Sequence, residues 1–141
     1  MPSTHQSKTV NASLDEIWDK FSNFHDMPWA ADILPSIEKV GDKSGHEVGA
    51  IRILNDAFHE TLTRFDPENY RVEYSIDDGP SPVSKEDVSN YVGVIQLSPA
   101  VEGDGTLVVW NSSWESNSED AVEFCHGIYV ALLGALAESF S

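Results

Sequence analysis

Glu60 is the residue in this chain with the best claim to acid–base chemistry. It stands in the run Ala57–Phe65, where Phe58, Glu60, Leu62 and Arg64 alternate with His59 and Thr61. Alternate side chains of an extended segment share a face, so one face carries an acid among large apolar groups. Burial there raises a carboxyl pKa and turns it into a proton donor or acceptor near neutrality. The competing reading is a surface ion pair with Arg52 or Arg64, which is worth little energetically. His59 belongs to the opposite face and is expected toward solvent. Tyr74 is the second candidate for moving protons, in the alternation Tyr70, Val72, Tyr74, Ile76. Cys125 and His126 are adjacent in a helical stretch, where neighbouring positions do not face each other. Cys125 is therefore expected as a small buried hydrophobe.

Other chemistries find little footing. His5, His25 and His46 are scattered singly, and no His, Cys or carboxylate set has the spacing of a metal site. Gly41, Gly45 and Gly49 read as turn glycines, not as a phosphate loop. No serine sits in a nucleophile elbow. No metal and no cofactor are expected. With 24 acidic against 8 basic residues, the formal net charge of −16 repels nucleic-acid phosphates and anionic lipid. Nucleic acid is thus excluded as a partner, and the acidity reads as solubility or salt adaptation. One cysteine forms no internal disulfide, and Met1–Lys8 has no apolar core like that of a signal peptide. The uncharged stretch from Phe124 to Ala137 is too short for a membrane span. The expectation is a cytoplasmic protein, monomer or homodimer.

The elements that must position these residues follow from periodicity. A single domain over residues 1–141 suits the length. Gln6–Asn11 reads as a strand. Ser13 and Glu16 form a capping box that opens a helix to about Phe24, and Trp29–Leu34 reads as a second short helix. The period then changes to two. Strands are expected at Ser36–Val40, Val48–Leu54, Ala57–Phe65, Tyr70–Ile76, Asn90–Ser98 and Thr106–Trp114, with a turn at Glu102–Gly105. Residues 77–89 are polar and proline-bearing, and are expected to form a mobile lid. A long last helix starts at Ser116–Asp120, with Ser116 and Glu119 as a further capping pair, and runs to about Ser139. It is apolar at Ala121, Phe124, Cys125, Ile128, Tyr129, Leu132, Leu133 and Leu136. That stripe is wide enough to predict burial on several sides. The fold class is α+β, a curved antiparallel sheet of about seven strands wrapped around this helix.

Four segments resemble the polyketide cyclase/dehydrase branch of the START-like, helix-grip superfamily, which also holds the birch-pollen allergens and the plant abscisic acid receptors. They are Ser13-Leu-Asp-Glu-Ile-Trp18, Trp29 at the family's Trp-x-Pro turn, Val48-Gly-Ala-Ile-Arg52, and Gly79-Pro-Ser-Pro-Val83 followed by Asn90-Tyr91 and Val109-Trp110. Ala31 replaces the turn's proline, and it falls at about the position of the receptors' hormone-gripping lysine. An insertion at Ser84–Ser89 lengthens their latch loop. Both departures argue against abscisic acid. The resemblance implies a cavity for a small hydrophobic molecule, such as a polyketide, sterol or lipid, lined by Trp29, Tyr74, Ile76, Tyr91, Trp110, Phe124, Ile128 and Leu132. It also places Glu60 inward, at a ligand-contacting glutamate. A binding protein is the first reading. The alternative is a cyclase, aromatase or dehydratase in which Glu60 or Tyr74 moves protons.

Overall fold

A computed structural model describes residues 2–100 and 103–140. Strand β1 (Ser3–Val10) leads to helix α1 (Leu14–Phe21) and a short 3-10 turn at Pro28–Ala30. Six strands follow: β2 (Ile37–Val40), β3 (Ile51–Leu54), β4 (Phe58–Asp66), β5 (Arg71–Asp78), β6 (Ser89–Pro99) and β7 (Thr106–Glu115). Helix α2 (Asp120–Glu138) comes last. The strands form one antiparallel sheet in the order β1-β7-β6-β5-β4-β3-β2, so chain neighbours pair throughout β2–β7 and β1 closes on β7. This is the antiparallel sheet and last helix that the alternation implied, and the helix-grip fold that the resemblance implied. Of the turn expected at Glu102–Gly105, Glu102 lies outside the described residues.

The capping box forms as the sequence reads: Ser13 N donates to Glu16 Oε1 (3.2 Å) and Glu16 N to Ser13 Oγ (3.3 Å). Helix α1 stops at Phe21, short of Phe24. The second helix shrinks to the Pro28–Ala30 turn. Pro28 supplies a favourable first position but no side chain caps it, and Pro35 biases Leu34 toward extended backbone. Strand β3 begins at Ile51, not Val48, because Gly49 takes φ +97°, which leaves Val48 in a turn and 55% exposed. The β3–β4 hairpin closes through the three residues Asn55, Asp56 and Ala57: Asn55 and Asp56 are both left-handed (φ 54° and 55°), and Ala57 N donates to the Leu54 carbonyl (3.0 Å).

Helix α2 differs most from expectation. Its inner side buries Ala121, Cys125, Tyr129, Leu132, Leu133 and Leu136, with Phe124 and Ile128 half-buried. Its outer side leaves Gly127, Val130 and Ala131 exposed. Only 33% of its most apolar 18-residue window is buried, so the helix is covered on one side and not on several. Small uncharged residues widen an apolar stripe on paper without requiring burial. By length and composition alone this helix could cross a membrane; here it packs on β1 and the Pro28–Ala30 turn. At its start, Ser118 Oγ accepts from Asp120 N (3.1 Å), while Glu119 at the cap position makes no side-chain cap. The capping pair expected from Ser116 and Glu119 is therefore replaced by the Ser118 hydroxyl.

Candidate functional site

Between the inner face of the sheet and α2 lies a void of about 40 Å³. Its walls are largely apolar: Leu34, Leu54, Phe58, Ile76, Ile128 and Leu132, together with Met27 and Cys125. Two buried polar groupings border it, one ionic and one neutral.

The ionic grouping is built by the β3–β4 hairpin, whose register sets Arg52 opposite Glu60. Both side chains point inward, and the residues are only 5% and 4% exposed. Arg52 Nε and its terminal nitrogen both donate to Glu60 Oε1, at 2.9 and 2.6 Å. The other terminal nitrogen donates to the Phe24 carbonyl (3.0 Å), and the guanidinium lies 3.8 Å from the centre of the Phe24 ring. Oε2 of Glu60 makes no hydrogen bond among the described residues. Burial pushes the Glu60 carboxyl above its ordinary range; Arg52 pulls against that shift without reversing it. Glu60 is thus both inward and ion-paired. Arg64 does not share its face: a register shift between Leu62 and Arg64 turns Arg64 to solvent, where it meets Asp66 and Glu73 at 3.2 Å each. His59 is half-buried on the opposite face.

The neutral grouping joins sheet to helix. Tyr129 of α2 places its hydroxyl 2.9 Å from that of Tyr74 on β5 and 2.5 Å from that of Tyr91 on β6. Trp110 Nε1 on β7 donates to Tyr74 Oη at 2.9 Å. The Ser112 hydroxyl and the Cys125 thiol also lie within hydrogen-bonding reach of Tyr91. Burial raises the pKa of all three phenols well above the usual tyrosine value, so they stay protonated. Tyr74 therefore meets its neighbours as a protonated hydroxyl. Gly93, opposite Tyr74 in the β5–β6 register, makes room for its ring: a Cβ there would lie 2.1 Å from Tyr74 Cζ.

Of the residues named from the sequence, Glu60, Tyr74, Ile76, Tyr91, Trp110, Ile128 and Leu132 come together around the void. Phe124 stands outside it, stacked on Phe58 with 6.5 Å between ring centres. Trp29 is further off, against Phe21, with its Nε1 donating to the Lys20 carbonyl (3.3 Å), beside an open surface groove. Sequence reasoning missed Arg52 and Tyr129 as members of the site. Parity on β3 pointed to the first, since Arg52 alternates with Leu54. For the second, the signal was a hydroxyl on a helix stripe that otherwise buries apolar groups, because a buried Tyr O–H needs a partner. The segment at 77–89 is tied to itself. Asp87 Oδ2 accepts from Ser81 Oγ (2.8 Å) and Ser84 Oγ (2.7 Å), and Val83 and Val88 are buried beneath it.

Residues 1–141 match the model of the family described as polyketide cyclase/dehydrase and lipid transport. Among solved structures, a protein of Nitrosospira multiformis is 42% identical, covering 99% of this chain and 97% of that one with a TM-score of 0.96. Norcoclaurine synthase of Thalictrum flavum, solved with dopamine and hydroxybenzaldehyde, is 20% identical over 97% of this chain and 84% of that one (TM-score 0.71). The major latex-like protein 151 of Panax ginseng is 15% identical over 98% and 96% (TM-score 0.75). The last two share the fold. No curated protein matches the chain in sequence.

Proposed function

Because the chain belongs to the polyketide cyclase/dehydrase and lipid transport family, we propose that it binds a small hydrophobic or aromatic molecule between the sheet and α2. The observation that carries this reading is the apolar void on which Arg52, Glu60 and the phenols converge. Small-molecule sites combine apolar walls with a few placed polar groups in this way. A void of about 40 Å³ holds little more than water, whereas ligand pockets run from roughly 300 Å³ upward. Binding therefore requires the interior to open, and the half-buried Phe58, Ile76 and Ile128 are the walls with room to yield.

The test is a fluorescence titration with N-phenyl-1-naphthylamine. It should bind saturably, one per chain, and quench the tryptophans; Leu132→Trp, which fills the void, should abolish this. Absence of saturable binding to the wild type would remove the reading.

A second reading, a cyclase, aromatase or dehydratase, draws on one observation: both guanidinium contacts fall on Oε1 of Glu60, so its second oxygen is left for a substrate. Under it, Glu60→Gln lowers turnover on the order of 10²-fold while the probe still binds.

A further inference from the structure

We infer that the Tyr129 phenol stands in for a hydroxyl of the ligand: Tyr74 and Tyr91 form a cradle for an oxygen carried on an aromatic ring, and the molecule taken up is a hydroxylated aromatic. This deepens the binding reading above and rests on it.

The cradle is a property of the sheet. Tyr74 and Tyr91 stand on neighbouring strands, and their hydroxyls converge on one point, occupied by the Tyr129 oxygen at 2.9 and 2.5 Å. Trp110 Nε1 already fills one acceptor position on Tyr74 Oη, at 2.9 Å, and leaves the Tyr74 hydrogen to point onward. The hydrogens can be counted. Three phenols carry three hydrogens, and the two contacts among them use two; the third has the Ser112 hydroxyl and the Cys125 thiol beside Tyr91 within reach. Burial keeps all three phenols protonated, so this donor capacity persists at neutral pH. The slot beside the cradle is aromatic as well, with Trp110 and Tyr129 ring centres 5.0 Å apart.

Tyr129 differs from its two partners in belonging to the helix. Its side chain reaches both hydroxyls of the cradle from α2, beside a void of about 40 Å³. Rotation of that one side chain, or a small shift of α2, vacates the space of a phenol ring next to the void and takes the Tyr129 partner from both sheet hydroxyls together. A purely apolar ligand entering there would leave each of the two buried hydroxyls short of one partner, at a cost that disfavours it against a ligand that supplies the bond. A ligand with a ring hydroxyl restores both bonds.

The experiment compares 2-naphthol with naphthalene by NMR titration of the full chain. The wild type should bind 2-naphthol at least about tenfold more tightly. Tyr129→Phe, which leaves the cradle empty at nearly constant volume, should raise affinity for both probes several-fold, because the Tyr129 bonds are already lost before either binds, and should keep 2-naphthol the tighter of the two. Tyr74→Phe/Tyr91→Phe should bind the two probes equally; if that double variant does not fold, Tyr91→Phe alone must show part of the loss. Equal binding of both probes to the wild type overturns the cradle and leaves the binding reading standing. No binding of either probe, even to Tyr129→Ala where the space is opened, overturns both.

Discussion

Arg52–Glu60 and the Tyr74–Tyr91–Tyr129 cluster border the same void on the same inner face of the sheet, yet they keep polar groups out of water by opposite means. The ion pair is local: its partners face each other across the β3–β4 hairpin, and Phe24 supplies a carbonyl and a ring to the same guanidinium. The phenols carry no charge, and their bonds run across the gap between sheet and helix. A displacement of α2 leaves the first grouping whole and breaks the second. The ionic side is thus fixed within the hairpin, whereas the bonds of the phenolic side depend on where α2 sits.

That contrast breaks most strongly at Arg52. Arg52→Met leaves a buried carboxyl without its counter-charge and should lower stability at neutral pH by about 3–5 kcal/mol. The loss should shrink in acid, where Glu60 takes a proton; urea unfolding at both pH values measures it. A loss that is the same at both would mean that Glu60 does not feel Arg52.

Gly93→Ala tests the phenolic side. The added methyl meets the Tyr74 ring, with 2.1 Å to Cζ and 2.5 Å to the hydroxyl. It should cost about 1–3 kcal/mol and shift the Trp110 indole N–H resonance, since that group donates to Tyr74. Tyr129→Phe should cost less, about 1 kcal/mol, and speed hydrogen exchange in α2 while leaving β3 and β4 unchanged. Equal effects on helix and hairpin would erase the distinction between the ionic and phenolic sides.

The smallest effect concerns pH. Glu60 has a folded pKa above its unfolded value, so the native state binds the proton more tightly than the unfolded chain. Its contribution to stability is full below the unfolded pKa of about 4.3 and is lost as pH rises through the folded value. Glu60→Gln removes that slope, and the wild-type-minus-variant difference should fall with pH across this window. A difference that rises instead would show that Arg52 outweighs burial.

Much of this was legible beforehand. Period-two alternation located the strands, and Ser13 with Glu16 fixed the start of α1. The Glu60 reading set an inward acid against a surface ion pair as alternatives. The structure has the inward acid and an ion pair with Arg52, but a buried one, because parity on two adjacent strands sends Arg52 and Glu60 to the same interior. Arg64 was misplaced because a bulge changes parity without any mark in the residue types. The girth of α2 was overread because Gly127, Val130 and Ala131 are uncharged yet outward. Tyr129 was counted as core; only the pairing demand of its hydroxyl, which periodicity does not register, distinguishes it from Leu132.

Entry of ligand between the sheet and α2 is the proposal from which the others follow. It is tested most directly by the ¹H–¹⁵N spectrum of the wild-type protein during titration with N-phenyl-1-naphthylamine. On binding, the Trp110 indole N–H and the amides of Cys125, Tyr129 and Leu132 should move together along one saturable isotherm. Shifts confined to the surface grooves, at Lys85–Ser89 with Glu115–Asn117 or at Trp29 with Gly134–Ser139, with the Trp110 signal unmoved, would contradict it.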